Sequence, residues 1–149
     1  MTQRPPEVDS LIKIGSLHEV ERNQENIERF LGRAEQLLKD AENSSISDET
    51  VFLSAYEGIL AVCNAGLLHF EARVANIPGH RSTALQAGHQ VLGLSSKSPT
   101  IIKLHNKRNS ATYEDPGQPL PPASVKLTVE VLRDALKACR QLTTQPSEL

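Results

Sequence analysis

From Phe52 to Val74, the residues Phe52, Ala55, Tyr56, Ile59, Leu60, Cys63, Leu67, Phe70 and Val74 recur at the three- and four-residue spacing of one helix face. A helix of about six turns this rich in apolar residues has to be covered by the rest of the chain. Ser47 is placed to cap it, Asp48 and Glu49 complement the positive end of its dipole, and Asn76-Ile77-Pro78-Gly79 stops it. It is the expected central helix.

The flanking segments supply the cover. Ile27, Phe30, Leu31, Ala34, Leu37, Leu38 and Ala41 predict a helix over 24–42, broken by Asn43-Ser44-Ser45. Ahead of it, residues 1–7 read as a disordered leader with two prolines among polar groups. A short segment follows, capped by Asp9 or Ser10 and edged by Leu11, Ile12, Ile14 and Leu17. Gly15 leaves a clean helix and a broken one equally open, and the segment is expected to pack across the bundle. Downstream, Ser82 is the expected cap of a shorter helix carrying Leu85, Val91 and Leu92, with Gly88 inside it and Gly93 near its end. Ser98-Pro99 opens a further helix reaching about Tyr113, and Asp115-Pro116-Gly117 ends it. A proline-rich loop to Pro122 leads to a last helix whose buried face is Val125, Val129, Leu132, Leu136, Cys139 and Leu142. Residues 144–149 form the expected flexible tail. Without an alternating pattern of useful strand length or an internal repeat, the expectation is an all-α, up-and-down bundle of four to five helices with a short N-terminal helix. One domain spans 8–143.

Composition narrows the functional classes. With 149 residues the chain fits one core, and with 3% aromatic residues and no Trp that core is aliphatic. Amphipathic helices with a second apolar edge leave room for a homodimer. A net charge of −2, from 16 Lys plus Arg against 18 Asp plus Glu, excludes the global basicity of general nucleic-acid binders but leaves room for a local basic site. Cys63 and Cys139 have neither metal-ligand spacing nor disulfide-scaffold density, and read as buried free thiols. The N-terminus carries no apolar signal segment and no run of about 18 apolar residues occurs, so the expected setting is cytoplasmic, with no membrane partner.

The chemistry is concentrated between Leu104 and Asp115. Ile101, Leu104, His105, Arg108 and Ala111 or Thr112 share one helix face, which puts Arg108 at the end of a half-apolar stripe. A guanidinium there either pairs with Glu114, Asp115 or an acid of another helix, or reaches a phosphate through its planar fork of donors. Lys107 and His105 add to the same basic patch, and His105 precedes Arg108 by about one turn. Asn109 can bond a neighbouring helix or orient a ligand, and Tyr113 with a pKa near 10 is a poor base at neutral pH. His18, His69, His80, His89 and His105 show no metal-ligand repeat, and phosphate loops and nucleophile elbows are absent from the sequence. No metal or cofactor is expected.

Lys107-Arg108-Asn109-Ser110-Ala111-Thr112-Tyr113, on the penultimate long helix, resembles the Arg-Asn-x-x-x-His signature of HEPN domains. The supporting context is Leu11-x-x-x-Gly15-x-Leu17, Phe52-x-x-Ala55-Tyr56, Gly79-His80-Arg81 and Tyr113-Glu114, which look like short bacterial HEPN-like proteins. The resemblance implies a bundle of about five helices that dimerises so that two Arg-Asn motifs face one cleft binding RNA or a nucleotide. It further implies a toxin-like component of a toxin–antitoxin or phage-defence module, whose partner would be a cognate antitoxin or nucleotidyltransferase. Active members are metal-independent endoribonucleases, so Arg108, Asn109 and Tyr113 become the candidate catalytic residues, and Lys107, Arg108 and His105 the binding ones. The family places its His after the Arg with four to six residues between, and those positions here are Tyr113, Glu114 and Asp115; no His follows His105. The alternatives are a protein-interaction module in which Arg108 is structural, and an active ribonuclease.

Overall fold

The computed structural model describes residues 4–43, 45–109 and 120–144. It is an all-α bundle, with six helices among the described residues: α1 (Pro6–Lys13), α2 (Gln24–Ala41), α3 (Asp48–His69), α4 (His80–Val91), α5 (Ser98–Asn109) and α6 (Pro122–Thr144). A ribbon of two short strands, β1 (Leu17–Glu19) and β2 (Ala72–Val74), joins the ends of the first half.

α3 is the centre, as its periodicity predicts. Buried residues lie on every side of it, including Phe52, Tyr56, Ile59, Val62, Cys63 and Leu67, so it carries no solvent stripe. By length and composition α3 could also cross a membrane, but most of it is buried inside the fold, as in the core helix of a bundle. Ser47 caps it by accepting from the Thr50 amide, and the short connection over 42–47 turns it back along α2. α2 and α6 cover one side, while α4 and then α5 cover the other. Close approach needs small residues. A Cβ on Gly88 of α4 would lie 2.3 Å from the Cys63 Cβ of α3, and one on Gly58 would lie 2.7 Å from Leu132 Cδ2 of α6. Outside the core, Arg140 ties α6 to Glu28 and Glu35 of α2 at 2.7 and 2.6 Å, and Arg133 reaches Glu42 at 2.6 Å.

Four expectations are corrected. Pro6 and Glu7, assigned to a disordered leader, form the first turn of α1, because proline at the first helical position loses no bond there. Gly15 does not break that helix but follows its end at φ 85°. α3 stops at His69, well before Pro78: Glu71 adopts φ 61° and reverses the chain, and the backbone beyond pairs with β1 in the register Leu17↔Val74, His18↔Arg73, Glu19↔Ala72. This ribbon is absent from the sequence expectation. α4 is capped by Gly79 at φ 85°, not by Ser82, which lies inside the helix and accepts from the Gln86 amide group.

Candidate functional site

α5 is placed by Ile101 and Leu104, both buried against the bundle. One turn on, the same face delivers His105, Arg108 and Asn109 to a polar cluster where α5 meets α3 and α4. Tyr56 of α3, almost wholly buried, receives them: its hydroxyl lies 2.8 Å from His105 Nδ1, and the two rings stack at 6.1 Å between centroids. Asn109 Nδ2 lies 3.2 Å from His105 Nε2, and Arg108 Nη1 donates to Asn109 Oδ1 at 3.2 Å. The Arg108 guanidinium carbon also sits 5.6 Å from the centre of the Tyr56 ring, within cation–π range. From the first turn of α4, Arg81 pairs with Glu57 at 2.9 Å, and its charge lies near enough to Tyr56 to act on the phenol.

These bonds fix the state of the imidazole. Arg108 can only donate, so the Asn109 oxygen faces it and the Asn109 amide group faces His105. Nε2 then accepts, and Nδ1 carries the proton and donates to Tyr56 Oη. Burial, with Arg108 and Arg81 nearby, holds His105 below the usual imidazole range, which agrees with a neutral ring. Burial pushes the Tyr56 phenol up, against the pull of Arg81 and Arg108, so it stays protonated. With both ring nitrogens engaged, His105 becomes a base or acid only when Asn109 or Tyr56 lets go.

The cluster thus unites three sequence candidates, His105, Arg108 and Asn109. Lys107 is half-buried on the same turn and, among the described residues, has no hydrogen bond to the cluster. Tyr113, Glu114 and Asp115 lie outside the described residues. Glu57 of α3 pairs with Arg81.

No protein-family model, curated protein or solved structure matches this chain.

Sequence reasoning did not place Tyr56, Glu57 and Arg81 in the site, though a charge signal for Arg81 was available. From Ala72 to Tyr113 the chain has six Lys or Arg (Arg73, Arg81, Lys97, Lys103, Lys107 and Arg108) and no Asp or Glu. The modest overall charge conceals a segregation in which the basic segment forms α4 and α5.

Elsewhere the titratable groups are structural. His89 is fully buried, with Nδ1 2.9 Å from the Leu85 carbonyl oxygen and 3.5 Å from Cys63 Sγ. Cys63 and Cys139 are buried free thiols; burial raises both, Cys139 to about 12, so neither is a ready nucleophile. Among the described residues, no three His, Cys, Asp or Glu side chains gather as a metal site.

Proposed function

We propose that this chain binds RNA or a nucleotide through phosphate, with Arg81, His105, Arg108 and Asn109 around Tyr56 as the site. The observation that carries this reading is the convergence of two guanidiniums from different helices on one buried tyrosine, within a segment without a single acid from Ala72 to Tyr113. Guanidiniums suit phosphate because their donors match its oxygens in pairs, and a half-buried site strengthens each contact. The Arg108–Asn109 pair also supports the HEPN-like reading, in which a homodimer sets two such sites in one cleft and serves in a toxin–antitoxin or defence module.

Binding is favoured over cleavage. Both nitrogens of His105 are engaged, Tyr56 holds its proton, and the chain has no later His. The expected result is salt-sensitive binding of a short single-stranded RNA at 50 mM salt, reduced at least about tenfold by Arg81→Ala with Arg108→Ala, the helical circular dichroism being retained. The RNA itself should be recovered intact. Equal binding by the double variant would make both arginines structural and favour the interaction-module reading, while RNA breakdown lost with Arg108→Ala would favour the ribonuclease. Sedimentation of the pure protein tests the dimer, and a monomer at micromolar concentration would remove the shared cleft.

A further inference from the structure

Glu57 is the one carboxylate among the described side chains of the cluster, and it sits where an anionic ligand would be read. Its Oε1 lies 2.9 Å from Arg81 Nη1, in a pair whose side chains keep only 29% and 32% of their exposure. Glu57 directly follows Tyr56 on α3, and Arg81 bonds Glu57 beside it. The Arg81 guanidinium is therefore already neutralised, by a group that presents two oxygens as a phosphate would.

Resting on the phosphate-binding reading above, we propose that Glu57 is a built-in competitor for Arg81, and that it makes the site selective for terminal phosphomonoesters over internal phosphodiesters. A diester offers one negative charge, so exchanging it for Glu57 at Arg81 replaces one charge by one and gains little. A monoester at neutral pH carries a charge of about −1.5 to −2 and three acceptor oxygens. It can engage Arg81 while the displaced carboxylate turns to solvent, or bind beside the intact pair with oxygens to spare. The pair thus acts as a threshold on ligand charge, and the ligand class it admits is a nucleotide or an RNA end bearing a terminal phosphate.

The test is fluorescence anisotropy with the full chain at pH 7.5 and two labelled RNAs of one sequence, one ending in a 5′-phosphate and the other in a 5′-hydroxyl. The wild type should bind the phosphorylated end at least about fivefold more tightly. Glu57→Gln keeps the shape of the side chain but removes its charge. It should bring the ratio towards one, mainly by strengthening binding of the 5′-hydroxyl RNA. Equal binding of the two RNAs by the wild type overturns the proposal without any variant, and so does an unchanged ratio in a folded Glu57→Gln protein. If neither RNA binds at 50 mM salt, the phosphate-binding reading fails and the selectivity falls with it; binding without end preference sinks the selectivity alone.

Discussion

At the scale of single residues the site turns on His105, whose two ring nitrogens join α3 and α5 through Tyr56 and Asn109. Replacing Tyr56 by Phe keeps the ring and strands the Nδ1 proton. The cost should be about 1–3 kcal/mol, read as a lower urea midpoint at unchanged slope. An unaltered midpoint would mean that the bond contributes nothing. Acid should also destabilise the fold. His69, His89 and His105 are all held below their usual value of about 6.5, with burial the first cause in each. The unfolded chain then binds protons that the folded one refuses, so these groups' contribution is complete above about pH 6.5 and is lost as pH falls through it toward the folded values. The melting temperature should be level between pH 8 and 7 and drop from pH 6.5 to 5. A rise over that interval would contradict the buried neutral imidazoles.

At the scale of elements, periodicity made most of the helices legible, because α2, α3 and α6 each repeat buried residues over several turns. The ribbon was not legible. Three-residue strands are too short to show a period of two, and Phe70 and Val74 stay at least partly buried in either conformation, so nothing in the pattern marked the turn at Glu71. His105, Arg108 and Asn109 could be grouped because one helix carries them; Tyr56 and Arg81 join them only through the packing of α3 on α4 and α5. That packing makes a prediction of its own. Gly88→Ala puts a methyl 2.8 Å from the Cys63 Cα, a backbone atom that cannot step aside, and should cost about 1–3 kcal/mol or more. Arg140→Ala removes two partly exposed ion pairs and should cost about 1 kcal/mol or less. Paired thermal melts check the ranking, and a larger loss from Arg140→Ala would contradict the close α3–α4 contact.

At the scale of the whole molecule, the charge is divided between an acid-free stretch that builds α4 and α5 and a remainder that holds all 18 acids with ten of the cations. A modest net charge therefore coexists with a locally basic segment, and the proposed association with phosphate should weaken steeply with salt although the protein as a whole is acidic. Mapping amide shifts on a labelled full chain during titration with a short 5′-phosphorylated RNA tests that claim most directly. The site predicts shifts that saturate and gather at Tyr56, at the first turn of α4 around Arg81, and from His105 to Asn109, each fading as salt is raised. Shifts confined to the α2–α6 side, or none at 50 mM salt, would contradict it.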